Sequence, residues 1–80
     1  MTENEIIMLG FKRCVETSDP PFFYYSLDLA EGLSFISSAD DEVVNGEWEA
    51  EIFDTYPAIK FKDAETLSKL IEILNQNKNK

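Results

Sequence analysis

The sequence predicts an α+β fold, an antiparallel β-meander of four to five strands with one C-terminal helix packed on one face. Three observations lead to this prediction. Apolar and polar residues alternate in several short segments, turn residues join these segments by hairpin-length connections, and the apolar period changes to that of a helix near the C-terminus. Because short connections cannot join parallel strands, the strands should pair antiparallel, with the helix covering their apolar side.

The first strand is expected over residues 5–15, where apolar residues recur with period 2: Ile7, Leu9, Phe11 and Val15. Pro20 and Pro21 end this segment, because proline cannot donate to a β-ladder. Residues 22–29 form the second predicted strand, since they are aromatic, β-favouring and alternating. The chain then turns at Gly32 and returns as a third strand over 33–37.

An irregular connection is predicted over residues 38–46, with a final turn at Asn45-Gly46, a pair that favours tight hairpins. The fourth strand is expected over 47–54 and a fifth, short strand over 58–62. Alternation predicts two sets along the fourth strand: Trp48, Ala50 and Ile52 inward, and Glu47, Glu49 and Glu51 outward.

The last element is a predicted helix over residues 64–75. Asp63 is a suitable N-cap, and Glu65 lies in the first turn, where the helix dipole favours an acid. Apolar residues follow with helical spacing: Leu67, Leu70, Ile71 and Leu74. The tail 76–80 has no apolar anchor, so it is expected to fray. With 80 residues the chain should form a single small domain, 1–80.

The charges are unevenly distributed along the chain, whose net charge is −9. No lysine or arginine lies between Cys14 and Ile59, whereas that segment contains many carboxylates: Glu16, Asp19, Asp28, Glu31, Asp40, Asp41, Glu42, Glu47, Glu49, Glu51 and Asp54. Direct binding of nucleic acid or of an anionic membrane requires a basic surface, so neither is expected. The acidity favours a basic protein surface as the partner.

The sequence offers little for catalysis or export. Because it has no histidine, neither Cys14 nor any serine has an imidazole base to activate it, and we expect no enzymatic activity and no cofactor. Asp40-Asp41-Glu42 lacks the alternating ligands of a calcium loop, so no metal site is predicted. The acidic N-terminus and the single cysteine lead us to expect a cytoplasmic location.

The candidate protein-binding residues are the acids of the fourth strand and its surroundings: Glu47, Glu49, Glu51, Asp54, Asp40, Asp41 and Glu42. Carboxylates two residues apart on a strand are separated by about 6.5–7 Å, a spacing similar to that of phosphates along a nucleic-acid strand. Such an array could occupy a basic groove. Alternatively, the glutamates form a solvated sheet face that maintains solubility.

The segments Trp48 to Asp54, Ile59 to Asp63 and Leu67 to Leu74 resemble small phage and mobile-element proteins in which one amphipathic helix closes a strand meander. The resemblance covers the C-terminal half of the chain best. It implies no activity and no site residue, but it favours one class, the small acidic phage inhibitors, some of which block nucleic-acid-binding proteins by imitating the nucleic acid.

Two functions therefore remain open. The first is a non-enzymatic acidic module that occupies the basic, nucleic-acid-binding surface of a partner protein. The second is a structural or assembly module that forms an apolar homodimer through exposed residues of the sheet: Tyr24, Ile36 and Phe53. In the second function, the charge would serve solubility alone.

Overall fold

The computed structural model describes residues 1–78 and contains one five-stranded sheet with helices before and after it. The elements in chain order are helix α1 (Glu3–Met8), strands β1 (Lys12–Glu16), β2 (Phe22–Ala30) and β3 (Leu33–Ser37), a short 3-10 helix (Asp40–Glu42), strands β4 (Ala50–Ile52) and β5 (Lys60–Phe61), and helix α2 (Ala64–Lys78).

The sheet is an antiparallel meander with the order β1-β2-β3-β4-β5, which confirms the predicted fold class. Each strand pairs with the next one along the chain, as the short connections require. Helix α2 lies against the side of the sheet that carries Tyr25 and Phe35. The C-terminal helix therefore covers one face, as the sequence predicts.

The hydrophobic core lies between this sheet face and the two helices. Its most deeply buried members come from three different elements: Ile6 of α1, Phe35 of β3 and Leu67 of α2. Aromatic rings fill the space beside them, with Trp48 and Tyr25 edge to face at 5.6 Å between centroids. The predicted helical stripe of α2 is confirmed, since Leu67 and Ile71 are buried and Leu70 and Leu74 pack against the core.

The first half of the predicted strand 5–15 is wrong, because residues 3–8 form helix α1 and the strand begins at Lys12. Thr2 caps the helix in a reciprocal capping box with Glu5. Gly10, with φ +100°, then turns the chain out of the helix. The apolar alternation from Ile7 onward resembled a strand, but the capping box starts a helix at Thr2 and the core buries its Ile6.

The bounds of the other strands and of helix α2 differ from the predicted ones by smaller amounts. Strand β3 has its predicted bounds, β2 extends one residue further, and β4 and β5 are shorter than the predicted 47–54 and 58–62. The Asp63 carboxylate accepts hydrogen bonds from the Glu65 and Thr66 amides, which confirms the predicted N-cap of α2. The helix continues to Lys78, beyond the predicted end at 75; of the tail expected to fray, residues 79–80 lie outside the described part.

The connection over residues 38–46 is irregular, as predicted. Its first part is the 3-10 helix, and its last part is a tight turn in which Asn45 and Gly46 both have positive φ, 57° and 71°. The Glu47 amide donates to the Val44 carbonyl across this turn at 3.0 Å. The turn positions Glu47 at the edge of the sheet face described next.

Candidate protein-binding surface

The sheet has a second face, opposite the helices, which we call the open face. Because side chains alternate along a strand, the register determines which residues share it. One row of cross-strand neighbours crosses all five strands: Lys12, Ser26, Ile36, Glu51 and Lys60. The centre of this row consists of a serine, an isoleucine and a glutamate, and its cations lie at the two edges.

A surface depression of about 330 Å³ lies at the β4 side of the open face. Four carboxylates line it, and we call it the acidic depression: Glu42, Glu47, Glu49 and Glu51. The wall also includes Ile36 and Val44, and the Val44 side chain is 68% exposed. Lys60 is the one basic side chain among the described lining residues. The depression therefore combines negative charge with an accessible apolar surface.

The structure brings together four of the seven carboxylates that the sequence suggested for binding. The other three, Asp40, Asp41 and Asp54, do not line the depression. The Asp40 carboxylate accepts a hydrogen bond from the Phe23 amide at 2.9 Å, so it anchors the 3-10 helix to strand β2. Asp54 lies in a turn with φ +64°, just after β4. At least Asp40 thus has a local structural role.

The four carboxylates of the depression differ in the partners they already have. Glu42 accepts a hydrogen bond from the Ala39 amide at 2.9 Å. Glu47 lies 3.7 Å from the Met1 amino group, which itself donates to the Trp48 and Lys62 carbonyls. The Glu49 carboxylate lies 3.7 Å from the Lys62 ammonium. A hydrogen bond or ion pair within the chain therefore involves three of these side chains.

Strand β5 changes the charge balance of the depression. Lys60 is the cross-strand neighbour of Glu51, and Lys62 forms the ion pair with Glu49. A pair with a solvent-exposed lysine such as Lys62–Glu49 is weak, worth at most about 1 kcal/mol, so it leaves the carboxylate available to a competing cation. The sheet nevertheless places two lysines next to the predicted acidic array, and the array is less negative than the lysine-free segment suggests.

An apolar strip adjoins the acidic depression on the open face, formed by Phe22, Tyr24 and Ile36. All three side chains are half-buried, and the Phe22 and Tyr24 ring centroids are 6.5 Å apart. The Tyr24 pKa is raised above its ordinary value, first by partial desolvation and then by nearby groups that include Glu16. Phe53, the other residue expected here, follows β4 and is 60% exposed.

Sequence reasoning missed two parts of this surface, Val44 and Lys60. Val44 lies before the Asn45-Gly46 turn, and that turn was the available signal, since a hairpin must place its flanking residues side by side. Lys60 could have been found from the predicted meander, because a fifth strand can only pair beside the fourth. The exact register, which sets Lys60 opposite Glu51, is not encoded in the local pattern.

Comparison of the chain with protein-family models, with curated proteins and with solved structures finds no match. Within residues 1–78, no helix has the length and apolar character needed to cross a membrane. The geometry and charge of the open face are therefore the basis for inferring a function.

Proposed function

We propose that this chain is a non-enzymatic protein-binding module whose acidic depression receives a basic surface of a partner protein. The supporting observation is the clustering of four carboxylates with two apolar side chains, Ile36 and Val44, in one depression of about 330 Å³. A depression of this composition suits arginine or lysine, because their aliphatic stems pack on apolar surface while the charged heads contact carboxylates.

In its narrower form, the proposal is a phage-type inhibitor that occupies the nucleic-acid-binding surface of its partner. A surface built to contact phosphates is basic, so it also attracts an array of carboxylates. This form continues the expectation, drawn from the sequence, of a small acidic phage inhibitor. In this form, nucleic acid and this chain compete for the same partner.

A synthetic oligo-arginine peptide provides the first test, with fluorescence anisotropy at low and high salt as the measurement. We expect binding that weakens strongly as salt rises, because exposed charges are screened within about 10 Å at 0.1 M salt. The informative variant is Glu47→Gln with Glu51→Gln, since neither side chain has a lysine within ion-pair distance in the described structure. The Met1 amino group, 3.7 Å from Glu47, still donates to the Trp48 and Lys62 carbonyls in this variant.

The matched control is Glu31→Gln with Glu72→Gln, which removes the same charge from exposed positions outside the depression. The depression variant should bind the peptide more weakly, and the control should bind as the unmodified chain does. If both variants lose affinity equally, the peptide responds to overall charge and the depression is not the site.

A homodimer is the second candidate, and the exposed apolar residues favour it. Phe53 is 60% exposed, and Tyr24 and Ile36 are half-buried on the open face. Light scattering at low and high salt distinguishes the two functions. A dimer held by apolar contact should persist at both salt concentrations, whereas a module for a basic partner should be monomeric when alone.

A further inference from the structure

We propose that the partner segment that binds the open face is amphipathic as well as basic. Its apolar side chains pack on the apolar strip of Phe22, Tyr24 and Ile36, and its basic side chains enter the acidic depression. This inference rests on the proposed function and adds what the partner must present besides positive charge.

The apolar strip and the acidic depression are continuous. Ile36 belongs to both, since it lines the depression and is the cross-strand neighbour of Ser26. Tyr24 lies two residues before Ser26 on the same face, so Tyr24 and Ile36 are diagonal neighbours, at a typical distance of about 7–8 Å. In the described structure the strip is not part of the packing around the buried core, so its side chains are free to bury a partner.

Charge complementarity favours a basic partner segment on the open face over a second copy of the chain. A second copy of the chain would bring another net charge of −9 against the acidic depression, and like charges in contact are costly. The cations near the depression, Lys60 and Lys62, lie at the β5 edge, and Lys12 lies at the opposite edge on β1. A basic segment over the centre of the face therefore meets carboxylates and apolar groups.

The dimensions fit a short segment. Adjacent strands are about 4.8 Å apart, so the part of the row from β2 to β4, where the apolar strip and the carboxylates lie, extends roughly 10 Å. An extended peptide of about three residues covers that distance at roughly 3.3 Å per residue. Such a segment contacts the apolar strip and the depression at the same time.

Three labelled peptides of equal length test the inference on the unmodified chain, with anisotropy as the measurement. One contains arginine and leucine, one arginine and serine, and one glutamate and leucine. We expect the arginine-leucine peptide to bind at least about fivefold more tightly than the arginine-serine peptide, which corresponds to one buried apolar anchor. The glutamate-leucine peptide should bind far more weakly than either.

Equal affinity for the two arginine peptides would overturn the amphipathic inference and leave the proposed function standing. If neither arginine peptide binds, the proposed function fails as well. Binding of the glutamate-leucine peptide as tight as that of the arginine-leucine peptide would contradict charge complementarity and both proposals.

The variant Tyr24→Ser tests whether the leucines of the peptide bind to the apolar strip. It should lose about fivefold in affinity for the arginine-leucine peptide and none for the arginine-serine peptide. Its control is Ile73→Ser, which removes an apolar side chain that is 55% exposed on α2. The same loss in both variants would show that the leucines bind elsewhere. Thermal unfolding of each variant, followed by circular dichroism, establishes that the folded protein is being compared.

Discussion

The hydroxyl of Tyr25 on strand β2 donates a hydrogen bond to the Glu3 carboxylate of helix α1, with 2.6 Å between the oxygens. Tyr25 is almost fully buried, at 4% exposure, so its ring belongs to the core while its hydroxyl reaches the helix. A hydrogen bond to a charged acceptor is shorter and stronger than a neutral one. This contact attaches α1 to the sheet on the face that the helices cover.

Removal of this hydroxyl should destabilise the fold. We expect Tyr25→Phe to lower the free energy of unfolding by about 1.5–3 kcal/mol, the usual value for a lost hydrogen bond to a charged group. The matched control is Tyr24→Phe on the open face, because that hydroxyl is 3.5 Å from Glu16 and exposed. The control should change stability by less than about 0.5 kcal/mol. Urea unfolding measures both, and equal losses would contradict a special role for the Tyr25–Glu3 contact.

The same contact predicts a dependence of stability on alkaline pH. The hydrogen bond to Glu3, with burial second, raises the pKa of Tyr25 above its ordinary value of 10.0. The folded chain therefore retains this proton at a pH where the unfolded chain has lost it. Stability from this source is complete below pH 10 and is lost as pH rises through the pKa of the folded state.

Urea unfolding of the unmodified chain and of Tyr25→Phe between pH 8 and strongly alkaline pH checks this sign. The difference in stability between the two proteins should be constant below about pH 10 and should shrink above it. A difference that stays constant over the whole range would show that the Tyr25 proton is not held more tightly in the folded state.

Helix α2 supplies a test of the core. Leu67 is completely buried, so Leu67→Ala should lower the free energy of unfolding by about 2–5 kcal/mol through lost burial and a cavity. Ile73→Ala on the same helix is the control, because Ile73 is 55% exposed and its loss should cost less than about 1 kcal/mol. Thermal and urea unfolding provide the comparison. Similar losses at the two positions would mean that α2 does not pack through its Leu67 side.

Local sequence pattern was sufficient for most of the fold. Residues 33–37 form a strand with the predicted bounds, and Asn45-Gly46 forms the expected turn, because alternation and turn residues mark both in the local sequence. Helix α1 was missed although its signal was present. The Thr2–Glu5 capping box is a local pattern, but the alternation of Ile7, Leu9 and Phe11 competed with it.

The candidate site was predictable only in part, because some of its contacts join residues that are distant in sequence. Alternation correctly placed Glu47, Glu49 and Glu51 away from the core. The role of Asp40 could not be read from its neighbours, since its carboxylate binds an amide of Phe23, a residue distant in sequence. The position of Lys60 opposite Glu51 likewise depends on strand register, which the whole sheet determines.

The basic side chain of the acidic depression, Lys60, should weaken the binding of a basic peptide. Lys60 lines the depression and is the cross-strand neighbour of Glu51, so it reduces the negative potential there. Lys60→Gln should therefore increase the affinity for the oligo-arginine peptide by about two- to fivefold at low salt, the equivalent of one exposed ion pair. The increase should disappear at high salt, because the interaction is between exposed charges.

Lys69→Gln is the matched control for Lys60→Gln, since it removes one positive charge on α2, where Lys69 pairs with Glu65 at 3.3 Å. Anisotropy with the same peptide compares the two variants at equal net charge. If the affinity rises for Lys60→Gln alone, the peptide binds at the depression. If the affinity rises equally for Lys69→Gln, the attraction comes from the total charge of the chain, and the depression is not the binding site.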